Sequence, residues 1–192
     1  MSAPTLQVIV GSTRPGRVGR PVAEWFTEVA RDHGGFDVEL VDLAEVGLPL
    51  FDEPRHPRLR RYEHDHTKAW SATIERSDAL VFVIPEYNHG FNAAVKNAID
   101  FLFEEWQHKP VGVVSYGGVA GGTRALQMLK PVLVALKMVP VVEAVNIPFV
   151  AKVLDEERQV QPTEVMQTAA TTMLDSLARW TEVMQGMRSR PD

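Results

Sequence analysis

Apolar residues fall in short, dense runs along this chain: LQVIV at 6–10, FDVELV at 36–41, ALVFVI at 79–84, VGVVS at 111–115 and VPVVEAV at 139–145. The third and fourth runs show almost no polar alternation, the pattern of strands covered on both faces, as in a parallel sheet between two helix layers. Apolar residues between the runs recur at helical spacing. Val22, Phe26, Val29 and Ala30 form one stripe; Leu126, Leu129, Leu133 and Leu136 form another, with Pro131 predicting a kink. The widest stripe joins Phe91, Val95, Ala98, Ile99, Leu102, Phe103 and Trp106, with Lys96, Asp100 and Glu104 off it. A last helix is predicted over 163–184 from Met166, Ala169, Ala170, Met173, Leu177, Trp180 and Met184, behind Pro162.

Five strands alternating with five helices predict a doubly wound α/β sheet, in the order 2-1-3-4-5 if its switch point holds a mononucleotide. The 192 residues suit one domain, expected over 1–185, followed by a polar tail at 186–192. There is no internal repeat and no composition break.

Composition narrows the chemistry. No cysteine is present, so disulfides and thiolate metal sites are excluded. A net charge of −5 argues against a nucleic-acid partner. No apolar run approaches the roughly 18 residues of a membrane span, and no cationic segment precedes the first strand, so a cytoplasmic protein without a membrane partner is expected.

Ligands of such sheets bind beyond the carboxyl ends of the strands, which directs attention to the loops after strands 1, 3 and 4. The first is GSTRPGRVGR at 11–20. Gly11 allows a tight exit, Ser12, Thr13 and the amides of the following helix can donate to an anion, and Arg14 and Arg17 add forked cationic donors. The loop has neither the Lys-Ser/Thr of a Walker A sequence nor the dinucleotide G-x-G-x-x-G, so a lone phosphate monoester fits better; a solvated polar loop is the alternative.

In the second loop, PEYNHGFN at 85–92, Pro85 ends the strand, Asn88 and Gly90 suit positive φ, and Asn92 suits a helix N-cap. Tyr87 and Phe91 either flank a flat ring or serve as a loop aromatic and a core residue; spacing favours the core for Phe91. The third loop, SYGGVAGGT at 115–123, has four glycines that would let a backbone approach a planar ligand, or simply give flexibility before a helix. Together the three loops point to one ligand.

Other residues carry weaker signals. His64 and His66 are read as solvated, their rings on different faces of a helix, and no metal site is expected. Arg124, near a helix start, should have an anionic partner: a ligand phosphate, Glu143 or a carboxylate of another protomer. Phe101 lies off the main stripe, which suggests either a subunit contact or burial beneath a loop. No G-x-S-x-G elbow marks a hydrolase.

The segments GSTRPGR, PEYNHGFNAAVKNAIDF and SYGGVAGGTRA, with LPLFDEP at 48–54, resemble the NAD(P)H-dependent FMN reductases, whose relatives include quinone, azo and chromate reductases. The resemblance implies a flavodoxin-like three-layer sandwich and a flavin phosphate held by Ser12, Arg14 and the turn through Arg17, Val18 and Gly19, beyond Gly11. It places the isoalloxazine ring against Pro85, Glu86, Tyr87 and Asn88 on one side and Ser115, Tyr116, Gly117 and Gly118 on another. FMN with NADPH or NADH would be the cofactors, quinones, azo compounds, free flavins or metal oxyanions the acceptors, and a homodimer or homotetramer the assembly. A flavin brings its own hydride chemistry, so no catalytic acid or base is assigned. Two departures stand out: Arg17 and Gly19 occupy places where many relatives have serine or asparagine, and Asn92, Ala93, Ala94 and Val95 replace the usual Pro-Gly region, leaving Gly90 to supply the turn. A flavodoxin-type electron carrier or a non-catalytic flavin-binding module is the alternative.

Overall fold

Successive side chains of a strand point to opposite faces, and here both faces are covered. The computed structural model describes residues 3–188. β1 (Thr5–Val10) is followed by α1 (Gly19–His33), β2 (Asp37–Asp42), the short α2 (Leu43–Val46), α3 (Asp65–Glu75) and β3 (Ala79–Pro85). Then come α4 (Ala93–Asp100), β4 (Pro110–Tyr116), α5 (Thr123–Ala135), β5 (Val139–Pro140), β6 (Val145–Ile147) and α6 (Glu164–Arg188). β3 and β4 are buried at every position. Val8, Val10, Val81 and Val83 pack against Val22 and Phe26 of α1 and Met173 and Leu177 of α6. Their neighbours Ile9, Leu80, Phe82 and Ile84 face Trp70 and Ile74 of α3, Ile99 of α4 and Leu129 of α5. This double burial explains why the sequence runs lack alternation.

All strand pairs are parallel and the order is 2-1-3-4-5. The fifth strand departs from the expectation of one run over 139–145: it is split into β5 and β6, both paired with β4. Val139 sits opposite Pro110 and Val145 opposite Val114, so six steps on the edge span four on β4. Pro140 offers no N–H to a ladder, and the surplus residues bulge outward, leaving Val142 exposed; such breaks belong on edge strands.

Two helix boundaries also differ. The stripe running to Trp106 predicts one long helix, yet α4 stops at Asp100 and Trp106 lies in a separate 3-10 turn, Glu104–Trp106. Indole N–H groups take the terminal carbonyls: Trp70 Nε1 donates to Ala98 O (2.9 Å) and Trp106 Nε1 to Ile99 O (3.0 Å). At the other end of the chain α6 continues to Arg188, past the start of the expected polar tail at 186, because Arg188 donates to Asp78 Oδ1 (2.7 Å) and Asp78 O (2.7 Å). Residues 189–192 of that tail lie outside the described residues. α5 runs through Pro131.

Candidate functional site

Because β1 lies between β2 and β3, its end at Val10 opens at the point where the chain reverses direction across the sheet. The loops after β1, β3 and β4 meet there around a cleft of about 140 Å³. Ser12, Arg14, Arg17 and Val18 come from the first loop, Pro85, Glu86 and Tyr87 from the second, and Tyr116 and Gly117 from the third.

The first loop turns tightly. Arg17 N–H donates to Arg14 O (3.1 Å), and Gly16 has φ +68°, so Arg14–Pro15–Gly16–Arg17 is a turn with proline and glycine in the positions that favour them. α1 then begins at Gly19 with no side-chain cap and no acidic residue in its first turn. The helix start, next to Val18 of the cleft lining, is thus left without side-chain compensation, the arrangement in which helix N-termini bind anions. Ser12 is buried and its hydroxyl lies 3.2 Å from the Tyr87 hydroxyl. Arg14 is exposed and makes no ion pair among the described residues. Arg17 differs: its Nη2 lies 2.5 Å from Oδ2 of the buried Asp42, which also accepts from Arg20 Nη1 (3.1 Å) and caps α2 through Ala44 N–H (3.0 Å).

Gly11 and Gly19 do not line the cleft but make it possible. A Cβ on Gly11 would stand 2.5 Å from Val95 Cγ2, and one on Gly19 would stand 2.6 Å from the Tyr116 hydroxyl, so only glycine lets α4 and Tyr116 approach so closely. Burial pushes the Tyr116 phenol above its usual range; Tyr87 adds to this, and the Ser12 hydroxyl with the charges of Arg14 and Arg17 opposes it.

The second loop is a two-residue hairpin. Tyr87 N–H donates to Gly90 O and Gly90 N–H to Tyr87 O, both 2.9 Å, while Asn88 (φ +50°) and His89 (φ +68°) take the left-handed positions. The positive φ expected at Gly90 therefore falls at His89 instead, and Asn88, at the hairpin tip, is not among the residues that line the cleft. Asn92 stands at the N-cap position of α4 without capping it; its Nδ2 donates to Gly11 O (2.6 Å) and ties the second loop to the first. Phe91 is half-buried against the core, as its spacing suggested.

Glu86 joins the second loop to the third. Its N–H donates to Tyr116 O (3.0 Å), and its carboxylate accepts from Arg124 Nη1 (2.8 Å) and Arg124 N–H (3.1 Å). Arg124 therefore has its anionic partner within the same site, not in Glu143, and the cation is tolerated at the start of α5 because Glu86 caps that turn. Burial pushes the Glu86 carboxyl up, but the Arg124 guanidinium and amides of α5 hold it below the ordinary glutamate range.

The glycine-rich loop holds itself in shape. Gly121 (φ +59°) and Gly122 (φ +84°) occupy the left-handed region, and a Cβ on Gly122 would come within 2.6 Å of Ser115 Cβ. Ser115 is fully buried, with its hydroxyl 2.8 Å from both Gly121 O and Asn146 Oδ1, so it supports the loop from beneath. Gly118 faces open space, with no atom within 4 Å of a built Cβ. Val150 completes the cleft wall, a residue that no motif marked.

On the far side of the first loop, Thr13 borders a wider groove of about 460 Å³ with Leu43, Leu48, Leu50, Ala93 and Asn97. Asn97 of the VKNAID segment clamps the LPLF segment, donating through Nδ2 to Pro49 O (2.7 Å) and accepting from Phe51 N–H (2.9 Å). Phe101 is fully buried, with Phe51 (5.1 Å between centroids) and His66 (5.7 Å) against its ring, so the loop-burial reading holds. The histidines correct another expectation: His64 precedes α3 in extended conformation, which brings its ring parallel to that of His66 at 5.1 Å. His66 Nε2 lies 3.0 Å from Asp52 Oδ1. Among the described residues no group of three His, Asp or Glu side chains is arranged to hold a metal ion, and no helix is long and apolar enough to cross a membrane.

Residues 4–152 match the family model described as NADPH-dependent FMN reductase. A protein of Schizosaccharomyces pombe named NAD(P)H-dependent FMN reductase is 43% identical over 149 residues, covering 76% of this chain and 74% of that one. A quinone reductase of Pseudomonas putida is 33% identical over 140 residues, 70% of this chain and 72% of that one. Among solved structures, FerB, a flavoenzyme NAD(P)H:(acceptor) oxidoreductase of Paracoccus denitrificans, shares the fold with a TM-score of 0.75 at 24% identity, over 94% of this chain and 98% of that one. With the cleft at the switch point and a family match over most of its length, the chain belongs to the NADPH-dependent FMN reductase family, oxidoreductases that work with FMN and NAD(P)H.

Proposed function

We propose that the cleft at the end of β1 holds FMN by its phosphate, with Ser12, Arg14 and the first amides of α1 as the socket. The observation that carries this reading is the bare start of α1: a hydroxyl, a guanidinium with no ion pair among the described residues and an uncapped helix end stand together, with no acid in the first turn. Among the described residues that line the cleft Glu86 is the one carboxylate, and Arg124 already neutralises it. This donor set suits a phosphate monoester.

The isoalloxazine ring would lie along Pro85, Glu86 and Tyr87 and over Gly117 and Gly118, where open space at Gly118 leaves room for a flat group. Bound flavin supplies the hydride chemistry. The chain's residues place it: Arg14 and Ser12 fix the phosphate end, the Glu86–Arg124 pair holds the second and third loops together, and Asn92 locks the second loop to the first. NADPH or NADH is the donor and a small molecule of the quinone class the acceptor, a reading supported by the family and by the name of the Pseudomonas putida relative.

Assembly as a homodimer or homotetramer is supported by the exposed Leu50, which lines the wider groove near the site, and by the neighbouring exposed Phe51. Light scattering tests this. We place the protein in the cytoplasm, where a nicotinamide-dependent reductase meets its donor.

The function is tested by loading purified protein with FMN, adding NADPH or NADH without oxygen, and then adding a quinone. Flavin absorption should bleach and return. Bound FMN that neither nucleotide bleaches would identify a carrier or flavin-binding module, and failure to bind FMN would contradict the reading altogether.

A further inference from the structure

The chain stays at the cleft after β6. Phe149 N–H donates to Gly118 O (3.0 Å) and Val150 N–H to Gly117 O (3.2 Å), so the residues beyond the sheet are fastened to the glycine-rich loop. After the 3-10 turn Val150–Val153 the chain makes a small hairpin. Leu154 bridges Val160, Gln161 N–H donates to Val153 O (2.7 Å), Asp155 N–H donates to Gln159 O (3.0 Å) and Arg158 N–H donates to Asp155 O (3.0 Å). The Asp155 carboxylate stiffens the tip, accepting from Gln159 N–H (2.8 Å) and Gln161 Nε2 (2.8 Å).

Arg158 stands at that tip with φ +63°, and its Nη2 donates to Gly16 O at 2.9 Å, across 142 residues of sequence. Gly16 belongs to the turn that carries Arg14. Residues 13–16 are exposed, and among the described residues this is the one hydrogen bond from elsewhere in the chain that reaches residues 14–16. One segment thus bridges the glycine-rich loop and the phosphate loop, and most of it, 153–161, lies beyond the stretch matched by the family model.

We propose that Arg158 is a positioning residue for the phosphate loop: by holding the Gly16 carbonyl it fixes the turn that aims Arg14 at the cleft. The proposal rests on the reading of that loop as a phosphate socket. An exposed turn of this kind samples other conformations unless it is tied down, and each such conformation lowers the apparent affinity for an anion that needs the aligned one. The guanidinium also adds positive potential at the loop, a contribution that salt screens.

The test is a titration of flavin-free full-length protein with FMN and with riboflavin, followed by fluorescence, together with amide hydrogen exchange. Arg158→Ala should raise the Kd for FMN about fivefold, leave that for riboflavin unchanged, and speed exchange of the Arg17 amide, whose bond to Arg14 O closes the turn. Arg158→Lys should restore most of the affinity. Because Arg158 is exposed, the melting temperature should stay within a degree or so of the parent. An unchanged FMN affinity in Arg158→Ala, or an equal loss for both flavins, would overturn the proposal. Equal affinity of the parent protein for FMN and riboflavin would instead overturn the phosphate socket itself.

Discussion

Arg17 Nη2 stands 2.5 Å from Asp42 Oδ2, so of the cleft-lining arginines Arg14 and Arg17 one is already held by a buried carboxylate at the end of β2. Among the described residues Arg14 has no such partner. The two arginines should therefore separate on mutation. Arg14→Ala should weaken FMN binding by about 1.5 to 3 kcal/mol with little change in stability, the range for hydrogen bonds to charged groups. Arg17→Ala should cost less affinity and more stability, because it leaves the buried Asp42 with Arg20 as its remaining cation among the described residues. Flavin titration and thermal unfolding of the two variants decide this; a larger affinity loss in Arg17→Ala without a stability loss would contradict it.

The Glu86–Arg124 pair predicts a dependence on acid. The folded protein holds the Glu86 carboxyl below its ordinary range, so its contribution is present above the unfolded glutamate pKa of about 4.3 and is lost as pH falls through the lower folded value. Glu86→Gln should melt earlier than the parent near neutral pH, and the gap should close below about pH 4. A gap that persists or widens in acid would show that the pair does not stabilise the loops.

Two glycines of one loop should respond in opposite ways. Gly122 has φ +84°, and a Cβ there would press on Ser115 Cβ at 2.6 Å and Tyr116 N at 2.7 Å. Gly122→Ala should therefore destabilise the fold by about 1 to 3 kcal/mol. Gly118 faces open space, so Gly118→Ala should keep the melting temperature while weakening FMN binding if the ring lies close over it. Normal flavin affinity in Gly118→Ala would move the ring elsewhere.

Much of this arrangement could be read from the sequence, for a physical reason. Strands buried on both faces announce themselves as continuous apolar runs, and β1, β3 and β4 fall where those runs lie. The loops that follow them then had to converge once the topology was known. What could not be read depends on contacts between distant residues. Nothing near Arg124 indicated that Glu86 would cap it, nor did the GSTRPGR segment reveal that Asp42 would take Arg17. Phe101 broke the helical stripe because its cover, Phe51 and His66, comes from a loop and a neighbouring helix rather than from the sheet. The split of the fifth strand was signalled by Pro140, but its bulge depends on the register against β4.

Away from the cleft, Lys109 gives a prediction at alkaline pH. It is buried beneath the end of α3, where Nζ donates to Ile74 O and to Ser77 Oγ (3.1 Å). Burial, and then the nearby Arg188 cation, bring its amine down to about 7 against the opposing pull of Asp78, Glu75 and Glu105. An unfolded lysine titrates near 10.4, so the unfolded chain binds the extra proton between about pH 7 and 10 and stability should rise with pH there, by up to about 1.4 kcal/mol per unit. Lys109→Met should lose that slope. Parallel stability curves for the two proteins from pH 7 to 9 would contradict the assignment.

The most direct test of the account is a crystal structure of the protein with FMN bound. The phosphate should lie at the start of α1, within hydrogen-bond distance of the Ser12 hydroxyl and the amides of Gly19 and Arg20, with the Arg14 guanidinium turned onto it. A flavin whose phosphate sits in another crevice, with Ser12 and the first turn of α1 facing only water, would contradict it.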